Sequence, residues 1–89
     1  MAKFSAIITD KVGLHARPAS VLAKEASKFS SHITIVAGEK QGNLKSIMNV
    51  MAMAIKTGTE VTIQADGNDE EQAIKAIKQT MIDTALIQG

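Results

Sequence analysis

The strongest constraint on this chain is how the period of its apolar residues changes along the sequence. Residues 2–8, "AKFSAII", alternate, with Phe4, Ala6 and Ile8 on one side, as a half-buried strand requires. Pro18 then opens a helical stripe in which Ala19, Leu22, Ala23 and Ala26 recur at i, i+3, i+4 and i+7. Ser20, Lys24, Ser27 and Lys28 occupy the other side, and Ser30-Ser31 closes the segment. "HITIVA" (32–37) alternates again, and Gly38-Glu39 turns it into a short strand from Lys40 to Gly42. Ser46 precedes "IMNVMAMAI", a short helix that the spacing ends before Gly58. "EVTIQA" (60–65) is the last strand, and Asp66-Gly67-Asn68 breaks it. Asp69, with Gln72 three places on, resembles a capping box for a helix from 70 to about 86 that buries Ala73, Ile74, Ile77 and Met81.

The resulting order, β-α-β-β-α-β-α, gives four short strands and three one-sided helices, hence a two-layer α+β sandwich. A right-handed crossover through the first helix leaves room for the last strand between the first two. All helices then cover one sheet face. The other carries Ile7, Thr34, Val36, Thr62 and Gln64, mixed enough to meet water. With 89 residues there is material for one core, so residues 1–89 are expected to form a single domain.

Composition removes several classes of function. Ten Lys and Arg against nine Asp and Glu leave a net charge of +1, which gives nucleic acid or an anionic membrane no electrostatic footing. Phe4 and Phe29 are the only aromatic residues, too few to stack single-stranded bases. Without cysteine there is neither a disulfide framework nor a thiolate metal site. The apolar start is too short for a secretory signal, and "IMNVMAMAI" falls far short of the roughly 20 residues of a membrane span. The expectation is a cytoplasmic, soluble monomer without a cofactor.

"KVGLHARPAS" (11–20) carries the chemistry. It sets His15 at, or one residue outside, a helix N-terminus, where backbone N–H groups lack partners and the dipole favours an anion. Arg17 adds a permanent guanidinium suited to phosphate oxygens, and Pro18 sacrifices no hydrogen bond there. The same field favours the neutral, nucleophilic imidazole. Such a junction suits a histidine that takes up a phosphoryl group and holds it. On spacing alone, a surface histidine beside a solvated arginine carries more weight.

"GLHARPAS" resembles the active-site motif of HPr, the histidine-containing phosphocarrier family of the bacterial sugar phosphotransferase system. The similarity extends through "ASKF" (26–29), "NLKSIM" (43–48), Gly58 and "ADGNDE" (65–70), which is nearly the whole chain. It implies an open-faced β-sandwich, a four-stranded antiparallel sheet with three helices on one face. It also implies a stoichiometric carrier rather than an enzyme. His15 would accept the phosphoryl group from phosphorylated enzyme I, loaded by phosphoenolpyruvate, and donate it to IIA domains of sugar permeases. Arg17 would stabilise the group in transfer, with the backbone N–H groups of Ala16 and Arg17 as phosphate contacts.

Ser46 is justified as a helix N-cap by itself. "NLKSIM", however, resembles the Gram-positive form of the family, in which the matching serine is phosphorylated by HPr kinase/phosphorylase. The implied further partner is a catabolite-control transcription regulator. The "IMNVMAMAI" helix is apolar nearly all round, with Ile47, Val50, Met51 and Ala54 on one side and Met48, Ala52 and Ile55 on another. Either it is wholly buried in a Met-rich core or it offers an adaptable docking face. In the family the helix borders the docking surface, which selects Ile47, Met48 and Met51 here, joined by Ser20 and Lys24. His32 begins a strand and has no metal-site neighbours in sequence. Asn49 and Ala54 stand where many members have glycine or another small residue. Two other readings remain at this point: a regulatory paralogue acting mainly through Ser46, and an unrelated small-molecule-binding module.

Overall fold

In the computed structural model, which describes residues 1–88, alternation places one side of three of the four strands against a common core. The strands are β1 (Ala2–Ile7), β2 (His32–Ala37), β3 (Lys40–Asn43) and β4 (Glu60–Asp66). The helices are α1 (Ala16–Ala26), α2 (Ile47–Ala52) and α3 (Glu70–Asp83). The sheet order is β1-β4-β2-β3 with every neighbour antiparallel, so the last strand does enter between the first two. Phe4, Ile63 and Ile35 lie in one row across it, and Val61, Ile63 and Ala65 of β4 are buried. The helices pack on that face, where Leu22, Leu44, Val50, Ile77, Met81 and Leu86 complete an aliphatic core. Each fully buried side chain of this kind contributes about 1.5–3 kcal/mol relative to exposure. The opposite face is open, and Ser5 and Thr62 hydrogen-bond across it at 2.8 Å.

Helix boundaries differ from the sequence expectation in instructive ways. α1 begins at Ala16, so Pro18 is its third residue rather than its first. Its missing N–H is still one that the helix leaves unpaired. The helix stops at Ala26, short of Ser30-Ser31, with Ser27 as its C-cap and the Ser27 hydroxyl donating to the Ala23 carbonyl at 2.8 Å.

The stops of α2 and α3 carry no glycine. After α2, Ala54 takes a left-handed φ of +50°, and after α3, Ala85 takes +58°. Following α3, the N–H groups of Ala85 and Leu86 return to the carbonyls of Ile82 and Met81, the double closure of a Schellman motif. Alanine at such a position costs roughly 1–2 kcal/mol, which burial of Leu86 helps to offset. Gly58, expected to end α2, lies beyond it in the following loop and donates its N–H to Ile8.

The sides of α2 are also redrawn. Val50 is buried together with Met53 and Ile55, which follow the helix, whereas Ile47, Met48 and Met51 are exposed. Met48 is 82% exposed.

The expected capping box at α3 does not form. Asp69 occupies the N-cap, but its side chain makes no capping bond. Its carboxylate instead accepts the N–H of Ser30 at 2.9 Å, the N–H of Ser31 at 3.0 Å and the hydroxyl of Ser31, tying the start of α3 to the entrance of β2. Gly67 permits this approach, since a Cβ there would meet Ser31 Cα at 2.7 Å. Glu70, not Gln72, reaches back, accepting the Gly67 N–H at 3.2 Å.

Those three donors, the Ser31 hydroxyl foremost, lower the Asp69 carboxyl from 3.8 to about 2. Its contribution to stability is therefore complete above pH 3.8 and disappears as pH falls through about 2. Asp69→Asn is expected to melt several degrees below wild type at pH 6, with the gap closing between pH 3.8 and about 2 in circular-dichroism melts.

Candidate functional site

The site begins with a close approach of two loops. Gly13 adopts φ +81°, and a Cβ on it would lie 2.5 Å from the Ile55 carbonyl oxygen and 2.9 Å from Lys56 Cα. Only glycine fits both the conformation and the gap. The next residue, Leu14, is buried and donates its N–H to that same Ile55 carbonyl at 3.0 Å. His15 follows directly, extended at φ −97° and ψ −174°, as the N-cap of α1. Its carbonyl accepts the Ala19 N–H at 3.0 Å, but its side chain makes no capping bond. The N–H groups of Ala16 and Arg17 therefore keep no side-chain acceptor and point out of the helix start. Behind them, Pro18 and Ala19 are buried and pin the first turn to the core.

The imidazole is thus held at a helix start and is not sealed in, since 36% of the His15 side chain is exposed. It shares a shallow cavity of about 380 Å³ with Asp10, Arg17, Pro18, Val21 and Thr84. Arg17 is exposed and lines the same cavity. Unpaired amides, a permanent cation and an accessible ring nitrogen converge there, a setting for nucleophilic attack on phosphorus and for retaining the anionic product.

Asp10 was not singled out in the sequence. Its Oδ2 lies 3.6 Å from His15 Nε2, while its Oδ1 accepts the Val12 N–H at 2.9 Å. That second contact is an Asx turn, the one local signal that marked Asp10 as more than a solvated loop residue. Thr84 had no such signal, because only the fold brings the end of α3 to the cavity.

Four of the five residues expected to dock partners gather at a second place. Ser20 and Lys24 of α1 line one groove with Lys45, Ser46, Ile47 and Met48 at the start of α2. Met51 lies outside that lining but is exposed on the same helix. Ser46 is the N-cap of α2, its Oγ accepting the Asn49 N–H at 3.2 Å, and it is only partly buried. Lys45 is anchored away from it, donating to the Phe29 carbonyl at 2.8 Å. Asn49 ties α2 to β3 by accepting the Asn43 N–H at 3.3 Å. His32 stands exposed at the start of β2, paired in register with Asp66. Among the described residues no cluster of His, Asp and Glu is arranged to hold a metal, and no helix is long and apolar enough to cross a membrane.

Comparison with known proteins agrees with this geometry. A family model described as "PTS HPr component phosphorylation site" matches residues 2–83. The phosphocarrier protein HPr of Mycoplasma capricolum is 92% identical over 89 residues, covering 100% of both chains. That of Mycoplasma genitalium is 56% identical over 79 residues, covering 88% of this chain and 90% of its own. A solved mycoplasma histidine-containing phosphocarrier protein superposes with a TM-score of 0.98 at 92% identity, over 99% of this chain and 100% of the other.

Proposed function

Because the chain belongs to the HPr family of phosphocarrier proteins, we propose that His15 is the residue on which it carries its phosphoryl group. As a member it is a stoichiometric carrier of the phosphotransferase system, working between enzyme I and the IIA domains of sugar permeases, and not an enzyme. The observation that supports His15 is its place as a part-exposed N-cap with no side-chain capping bond.

A ring nitrogen of His15 attacks phosphorus as the bond to the donor histidine breaks, and that bonding pair returns to the donor nitrogen. The phosphoryl oxygens then meet the N–H groups of Ala16 and Arg17 and the Arg17 guanidinium, which offset their charge. Donation to a IIA histidine reverses these roles. The exchange takes place in the cytoplasm, with the carrier as a monomer.

Docking uses Ser20, Lys24, Ile47, Met48 and Met51. Exposed methionines suit a surface that meets several unrelated partners, because an unbranched thioether adapts its shape. Ser46 lies in the same groove as four of those five. A phosphate added there by HPr kinase/phosphorylase leaves the short helix tolerably capped and places negative charge where enzyme I and IIA domains must bind. The modified face is then offered to a catabolite-control transcription regulator.

With phosphoenolpyruvate and enzyme I, wild type is expected to gain an acid-labile 80 Da, about one PO₃H by mass, that His15→Ala lacks. Equal gain in both variants removes His15 from the scheme. With the kinase and ATP, wild type and not Ser46→Ala gains phosphate, and equal uptake excludes Ser46. Met48→Ala, at a side chain exposed enough to spare the core, is expected to weaken enzyme I and IIA binding roughly three- to tenfold in calorimetry, with the melting temperature unchanged.

A further inference from the structure

The five methionines of the chain divide sharply by exposure. Met53 and Met81 are buried, and the Met53 sulfur packs against Gly42, where an added Cβ would lie 3.2 Å from it. Met51 is 41% exposed, Met1 72% and Met48 82%. Met48 also stands between two grooves. It lines one with Ser20, Lys24 and Ser46 and the other with Lys40, Gln41 and Asn49, and among the described residues it alone is common to both. Met1 is placed beside Glu70 at the start of β1 and lines neither. The chain has no cysteine, so an exposed thioether is its most readily oxidised side chain.

We propose that Met48 is a reversible oxidation site, at which hydrogen peroxide converts the thioether to the sulfoxide and so weakens the hold of partners on α2. The inference rests on the docking role proposed above for Met48. A sulfur lone pair attacks one peroxide oxygen and the O–O bond breaks. The departing hydroxide takes the proton of the transferred oxygen and leaves as water, so sulfur loses the two electrons that the peroxide gains. Reduction by a thiol-dependent sulfoxide reductase restores the thioether, the oxygen leaving as water while two thiols join in a disulfide. The thioether is apolar and a weak acceptor, whereas the sulfoxide is polar. In an open groove water solvates it and the fold is undisturbed. Beneath the apolar surface of a partner it is desolvated without a donor, and docking weakens.

Peroxide titration with peptide mass mapping reads the site without any partner. Met48 is expected to gain one oxygen atom before Met51, and at least about fivefold faster than Met53 or Met81. Protein oxidised only at Met48, separated by chromatography, is expected to bind enzyme I about tenfold more weakly in calorimetry, with its melting temperature unchanged. Treatment with the two sulfoxide reductases, one for each sulfur epimer, restores the affinity. Met48→Leu keeps the apolar bulk without the sulfur, so its binding matches wild type and survives the same dose of peroxide. Met48→Ala shows separately whether Met48 docks at all, and wild-type affinity in that variant overturns the docking role and the inference with it. If Met48→Ala binds weakly, three results overturn the inference alone: Met48 oxidised no faster than Met53, wild-type affinity in the Met48 sulfoxide, or equal loss of binding in peroxide-treated Met48→Leu. A lowered melting temperature in the sulfoxide does the same, since it would assign the loss to unfolding.

Discussion

The site depends on the contact between the Gly13-Leu14 backbone and the carbonyl of Ile55. One missing Cβ and one 3.0 Å hydrogen bond set the height at which the chain leaves the loop and enters α1. Buried Leu14 on one side of His15 and buried Pro18 and Ala19 on the other leave the imidazole little freedom except rotation about its own bonds. Preorganisation of this kind matters to a carrier because the phosphoryl group must be met by amides already in position. The same contact joins the loop before α1 to the segment that follows α2, so the His15 cavity and α2 share one anchor.

α1 connects the two functional regions. Its first turn presents unpaired N–H groups to an anion, and its outer face, through Ser20 and Lys24, forms one wall of the groove against α2. Its inner face, Ala19, Leu22, Ala23 and Ala26, is packed on the core without a gap in the stripe. The division follows from a period near 3.6. Residues at the helix start frame the His15 cavity, one side lines the groove against α2, and the other packs on the core.

Much of this was legible because it is periodic. The strand alternation, the stripe of α1 and the order of elements led directly to the four-stranded sheet and the crossover that admits β4. The ends of α2 and α3 were not legible, because Ala54 and Ala85 adopt conformations that sequence rules assign to glycine. The capping box failed because Asp69 has stronger partners 38 and 39 residues away, in Ser31 and Ser30, than any within its own helix. Asp10 escaped notice for a similar reason. A lone carboxylate in a loop is ordinary until the fold turns it toward a histidine. The sides of α2 were misjudged because the helix ends at Ala52 and the left-handed Ala54 turns the chain before Ile55, where helical spacing no longer predicts direction.

The brevity of α2 has a kinetic meaning. Six residues span about 9 Å, so the methionine-bearing face offers a partner a footprint less than two turns long. Contacts of that size fall toward the small, short-lived end of protein association. A carrier must leave each partner before it can visit the next, and a helix stopped early by a left-handed alanine limits how much surface α2 can add to any such contact.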